Sequence, residues 1–234
     1  MFSEIFSAEA LEDAWNIIQS QFLLSTWQTV YVTILSTFFA FVIGLPLGVL
    51  LVTGEEKGIK PLPKGFMHAL NVIINILRSV PFLILMILVF PLTRLIVGTV
   101  VGTIATIPPL VIAAFPFIAR LVESSLREVN PNTIEMAQSL GASPLQIVVK
   151  VLIPESVPSL LSNMTIAITT VLGYTAMSGI IGGGGLGKIA INYGYYRYKT
   201  LVMILAVILL VVLVQILQSI GTKLAIKSNK VLKK

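Results

Sequence analysis

The sequence predicts an all-α polytopic membrane protein with five transmembrane helices and one polar helix–glycine–helix loop between the third and the fourth. Three observations predict it. Hydrophobic residues make up 56% of the 234 and charged residues 11%, against a soluble average of about 25% charged. Apolar stretches long enough to cross a bilayer recur five times. The lysines and arginines fall unequally on the two sides of those stretches.

A spanning helix needs about 20 mostly apolar residues. The first run covers 27–52, with a kink expected at Gly44-Leu45-Pro46-Leu47-Gly48. The second covers 69–92 and carries Arg78-Ser79-Val80-Pro81, where a break or bend is expected. The third covers 104–122 and contains Pro108, Pro109 and Pro116; the fourth covers 157–181 and the fifth 200–220. With no internal repeat and no room for a soluble domain, 1–234 reads as a single transmembrane domain. Ahead of the first run, Ala10, Leu11, Ala14, Trp15, Ile18 and Phe22 have the spacing of a short helix lying at the interface. Glu4, Glu9, Glu12 and Asp13 precede the first run without a basic residue, the opposite of a secretory signal.

The loop at 130–154 is the polar island. Asn130-Pro131 supplies a cap and a proline at the first helical position, and Glu135 adds negative charge near the positive helix end. Gly141 stands where a left-handed terminal residue belongs. Ser143-Pro144-Leu145-Gln146 is a capping box that restarts a helix, which Pro154 is expected to stop. Two readings stay open on local grounds: a shaped docking surface, or a well-made connector.

Charge sets the orientation. With this loop inside the cell, Lys57, Lys60, Lys64, Arg120, Arg127, Lys150, Lys223, Lys227, Lys230, Lys233 and Lys234 are inside, eleven in all. Arg94, Lys188, Arg197 and Lys199, four, lie outside. The positive-inside rule then places the N-terminus out and the C-terminus in the cytoplasm. It also explains the net charge of +6 without nucleic acid as a partner.

Several chemistries are excluded. There is no cysteine, one histidine (His68) and one aspartate (Asp13), so catalytic constellations and metal sites have almost nothing to draw on. Gly182-Gly183-Gly184-Gly185-Leu186-Gly187-Lys188 nearly satisfies a phosphate-loop pattern, but Ile189 stands where Ser or Thr is needed and an apolar span precedes it. It reads instead as a flexible turn permitting positive φ. The chain therefore binds no nucleotide of its own.

Three further groups invite a role. Arg78, inside the second run, would cost about 2.5–3.5 kcal/mol facing lipid. It is either a pathway or gate residue, or an interfacial arginine where the span begins near Val80. The fourth run holds Asn163, Thr165, Thr169, Thr170, Tyr174, Thr175, Met177 and Ser178, which either glue helices or line a route for a solute. With no charged residue among them, a zwitterion or neutral polar solute suits that route better than a strongly charged one. Tyr193, Tyr195, Tyr196 and Tyr198, with Arg197 and Lys199, read as an aromatic interface belt or as contacts for an external partner.

The loop also carries a resemblance. Glu135-Met136-Ala137, then Gly141 four residues after Ala137, then Val151-Leu152-Ile153-Pro154, resembles the "EAA" loop of permease subunits of bacterial ABC importers, which docks on a cytoplasmic ATPase. Met136, Val151 and Ile153 replace the usual alanine, isoleucine and leucine, apolar for apolar. Arg78-Ser-Val-Pro-Phe, Pro91-Leu-Thr-Arg, Pro116-Phe-Ile-Ala-Arg, Gly173-Tyr-Thr-Ala-Met-Ser-Gly, the glycine run and Tyr193-Gly-Tyr are similar to the methionine-importer branch of that family, over roughly residues 25–220.

The resemblance implies the type I importer permease fold and a machine of two identical permeases, two cytoplasmic ABC ATPases and an extracellular or periplasmic solute-binding lipoprotein in a bacterial cell membrane. ATP and Mg²⁺ would be held by the ATPase and no cofactor by this chain. It implies ATPase coupling at Glu135, Ala137, Ser139, Gly141, Ala142 and Ser143. Candidate pathway residues are Arg78, Asn163, Thr170, Tyr174 and Met177, and candidate binding-protein contacts are Tyr195, Tyr196 and Arg197. The alternatives are the same architecture moving another small amino acid or short peptide, and an ATP-independent transporter or channel.

Overall fold

The computed structural model describes residues 8–229, and within them the side chains of Glu9 and Ala10 lie outside the description, as do Glu4 and the tail lysines Lys230, Lys233 and Lys234. Among the described residues every regular element is helical. Four helices are long and apolar enough to cross a membrane, or five if the bent pair broken at Val80–Pro81 counts as one span. The chain is an all-α, multi-pass membrane protein.

Helix α1 (Ala8–Ile17) passes through a π-helical turn, Ile18–Phe22, into α2 (Leu23–Thr53). The separate interfacial helix expected over 8–22 is thus the first part of a longer rod. Its inner face is Ala14, Ile17 and Phe22, which are buried against Leu186, Ile189, Val202 and Ala206, while Leu11 and Trp15 stay exposed. Burial of that face against protein, rather than at a lipid surface alone, explains why the acidic segment continues the helix. Pro46 lies inside α2, which runs on unbroken. The flanking glycines serve proximity: a Cβ at Gly48 would stand 2.6 Å from Val122, and one at Gly44 2.8 Å from Ile118. Small residues four apart let two membrane helices approach closely.

Helix α3 (Lys64–Ser79) ends at Val80, whose ψ of 127 is the extended conformation that a following proline enforces. After Pro81 come α4 (Phe82–Leu88) and α5 (Phe90–Val97). A 3₁₀ turn, Ile104–Thr106, leads into α6 (Ile107–Arg127), five residues past the expected end of the third run. Next come α7 (Pro131–Ser139) and α8 (Pro144–Ile147), followed by a π turn, Val148–Leu152, and α9 (Ile153–Ser178).

Pro154 does not stop the helix, contrary to expectation. In the wide turn the Ile153 N–H donates to Val148 O, a step of five residues instead of four. That shift vacates a place in the α-helical ladder just where a proline cannot donate. Helix α10 (Gly185–Ile189), a π turn Ala190–Tyr195, and α11 (Thr200–Ser228) complete the chain.

The helices group into two compact units. One contains residues up to Thr37, Phe82–Val111 and Ile168–Leu217. The other contains Phe38–Pro81, Ile112–Ala167 and the residues from Gln218 onward, with Leu51, Met67, Ile74 and Ala119 as a buried cluster.

Candidate functional site

The capped loop belongs to the second unit, and its shape is fixed by its own backbone. The Asn130 side chain accepts from Asn132 N–H at 3.0 Å, satisfying one orphan donor of α7. At the other end Gly141 N–H donates to Gln138 O (2.9 Å) and Ala142 N–H to Ala137 O (3.1 Å). Those two bonds define a Schellman motif, and Gly141 supplies its left-handed residue at φ +78. Two residues on, Ser143 N–H donates to Gln146 Oε1 at 2.8 Å and Gln146 N–H to Ser143 Oγ at 3.4 Å, the reciprocal pair of a capping box. Ile147 and Leu152 anchor the restarted helix in the core.

Of the residues expected at the loop's contact surface, Glu135, Ser139, Gly141 and Ser143 are exposed and Ala142 is half-buried. Ala137 is buried, and its backbone carbonyl accepts the Schellman bond from Ala142 N–H. The outward face holds three large apolar side chains instead, Met136, Leu140 and Leu145, at 60%, 81% and 72% exposure. Sequence reading missed these three. Their signal was present, as apolar residues in an otherwise polar island.

Beside the loop, a charge network closes the end of α6. Glu123 bridges two arginines, meeting Arg120 at 2.7 Å and Arg127 at 2.8 Å. Arg120 also donates to Asn71 Oδ1 (2.8 Å) and Asn75 Oδ1 (3.0 Å) on α3, and Arg127 donates to Glu55 before it. Arg127 thus donates to two carboxylates, Glu55 and Glu123. Charge counting had treated these arginines only as orientation signals. Their three- and four-residue spacing from Glu123 was the clue to the pairing.

The proposed pathway residues do not form one cluster. Arg78 is exposed in the last turn of α3, a favourable end for a cation. Asn163 points at α6, donating to Leu121 O (3.1 Å) and Ser125 Oγ (2.7 Å), which makes it helix glue. In the other unit Tyr174 stacks flat on Phe82 at 4.6 Å between centroids, Met177 is exposed and Thr170 is half-buried.

The glycine run is not the flexible turn expected of it. Gly182 and Gly185 do take positive φ, but the run is bound on several sides. Gly185 N–H donates to Gln28 Oε1 and Leu186 N–H to Thr29 Oγ1, both at 2.9 Å, and Gly182 O accepts from Gly102 N–H at 2.9 Å. A Cβ at Gly187 would fall on the backbone of Ala176. Two amides that open a phosphate-loop helix toward its ligand are here occupied by protein side chains. Farther along, the Arg197 guanidinium lies over the Tyr193 ring at 4.8 Å, while Tyr195 and Tyr196 are exposed and meet edge to face at 5.3 Å.

With this geometry in place, residues 63–223 match the profile of the family described as binding-protein-dependent transport system inner membrane component. The chain belongs to that family. It is 50% identical over 90% of its length, and 93% of the relative's, to the probable D-methionine transport system permease protein MetI of Vibrio cholerae. Against the protein of the same description from Pasteurella multocida, it is 46% identical over 86% of its length and 93% of the relative's. A chain from a crystal form of the MetNI methionine ABC transporter in inward-facing conformations superposes with a TM-score of 0.88, at 43% identity, covering 91% of this chain and 98% of that one. The fold is that of the type I importer permeases.

Proposed function

We infer that this chain is the permease subunit of an ATP-driven methionine importer, and that it works as a second copy of itself would complete it, with two cytoplasmic ABC ATPases and a solute-binding lipoprotein. The observation that carries the reading is the similarity, at half the residues over nine-tenths of the chain, to a D-methionine permease. The loop supports it physically. Its caps make a rigid unit, and Met136, Leu140 and Leu145 project from it as anchors that would fill an apolar cleft on the ATPase. Glu135, Ser139, Gly141, Ala142 and Ser143 frame those anchors. Ala137 serves from inside, by holding the turn.

In this reading ATP and Mg²⁺ bind the ATPase, and nucleotide-driven closure moves the loop as a lever. The spans then exchange inward-open and outward-open states by rigid-body gating. The N-terminus lies outside and the loop and C-terminus in the cytoplasm, on the charge asymmetry. Tyr195 and Tyr196 face outward where the lipoprotein would dock, while Arg197 is turned back onto Tyr193. Arg78, Asn163, Thr170, Tyr174 and Met177 remain candidate pathway residues, and Asn163 also holds α9 to α6. A methionine zwitterion suits a route without fixed charge over 157–181.

Purified chain with its ATPase in lipid vesicles, supplied with the binding protein and radiolabelled methionine, tests the reading. ATP-dependent uptake of methionine is expected. Uptake that ignores ATP would establish an ATP-independent transporter instead, and ATP-dependent uptake of a different amino acid or short peptide would replace the substrate.

A further inference from the structure

Within the first unit, a cleft of about 390 Å³ opens beside the start of α2, between that helix and the segment after the glycine run. Gln28, Asn192, Tyr193, Lys188 and Arg197 line it together with Leu24. Two of these are cations, and no carboxylate is in the lining. Asp13, in the same unit, is held by Lys199 at 2.6 Å. Among the described residues neither Lys188 nor Arg197 has an ion-pair partner. Arg197 is instead fixed over the Tyr193 ring, a stacking that leaves its planar fork of N–H donors unspent. The Tyr193 hydroxyl is itself pinned, accepting from Gln21 Nε2 at 2.6 Å.

The rim of the same cleft is oily. Leu24 is 60% exposed, its neighbour Leu23 84%, and Trp27 63% with its ring tilted against Tyr31. Leu24 lines the cleft, and Leu23 and Trp27 stand near it on the same helix. Two cations without an ion-pair partner among the described residues, in a cleft that exposed Leu24 also lines, match a molecule with an anionic head and apolar tails. A free anion would make no use of the leucines. An acidic protein face would have to bury them.

We propose that this cleft binds the phosphate headgroup of an anionic phospholipid, with Lys188 and Arg197 on the phosphate, Gln28 and Asn192 as neutral donors, and the acyl chains along Leu23, Leu24 and Trp27. Phosphate pairs well with a guanidinium fork and a mobile ammonium. The site clamps the start of α2 to the segment that follows the glycine run, through the lipid as well as through Gln28 and Thr29.

The test is lipid retention by the purified full-length chain in maltoside detergent, read by native mass spectrometry during titration with phosphatidylglycerol or phosphatidylcholine. The wild type is expected to keep one phosphatidylglycerol per chain on the order of tenfold more tightly than phosphatidylcholine. Lys188→Gln with Arg197→Gln should abolish that preference, and Lys188→Arg with Arg197→Lys should keep it. If the double variant does not purify as a single species, Lys188→Gln alone, an exposed side chain, should still weaken it. Unchanged preference in the neutral variants would overturn the proposal. So would displacement of the lipid by millimolar inorganic phosphate, which would mark a free-anion site. Loss of binding-protein capture with lipid retention intact would assign the cations to an acidic protein face instead, and would overturn it as well.

Discussion

Gly141 follows the end of α7 and Gly187 lies inside the short helix α10, and they are glycines for opposite reasons. Gly141 has nothing within 4 Å of where a Cβ would be, but its φ is +78. Gly187 has a backbone that any residue could adopt, yet a Cβ would collide with the backbone of Ala176. The first needs glycine for its dihedral angle, the second for its volume. The difference teaches that the loop holds its shape by its own hydrogen bonds, whereas the glycine run holds its shape by what is pressed against it.

The largest effect should come from the crowded region. Gly187→Val is expected to cost about 3 kcal/mol or more, because backbone on both sides cannot shift to admit it. A yield of monodisperse protein and a thermal unfolding midpoint equal to wild type would break the comparison at once. Next, Gln28→Ala leaves the Gly185 N–H without its acceptor, at about 1–3 kcal/mol. Thr29→Val should do the same to Leu186 N–H. Both are read as shifts in the unfolding midpoint.

In the open region the effects are smaller on stability and larger on work. Gly141→Val places a β-branched residue in the left-handed region at about 1–2 kcal/mol, and the protein should still fold. Methionine delivered per ATP hydrolysed in vesicles should fall, while Gly141→Asn, which tolerates that conformation, should recover most of it. Equal coupling in both variants would mean that the turn is a passive connector. The smallest change is Asn130→Ala, which removes one cap at about 1 kcal/mol and should be visible only in unfolding.

What was legible in the sequence followed the same division. The loop was readable because caps are local. Asn130-Pro131, Gly141 and Ser143 to Gln146 each act within a few residues, and the structure places each where those rules put it. The break at Val80-Pro81 was readable for the same reason. What was misread depended on partners far away in the chain. The glycine run looked flexible because Gln28 and Thr29, 157 residues earlier, could not be seen to hold it. The bond from Asn163 to Ser125, 38 residues earlier, was likewise out of view. The burial of Ala137 was also out of view, because the motif fixes which residues matter and not which way they face. Pro154 looked like a stop because the rule assumes a step of four residues.

That last misreading has a consequence for how this chain can change length. In the turn Val148–Leu152 the backbone accommodates an extra residue without losing its angular phase, so Ile147 on one side and Leu152 on the other both reach the interior. An α-helix advances about 100° per residue. Deleting one residue there would close the turn to the ordinary step of four with that phase kept, so Ile147 and Leu152 would hold their faces and Pro154 would lose the wide turn ahead of it. A single deletion inside the turn should therefore be tolerated better than one elsewhere in the same helix, where the rotation of about 100° would expose the buried face.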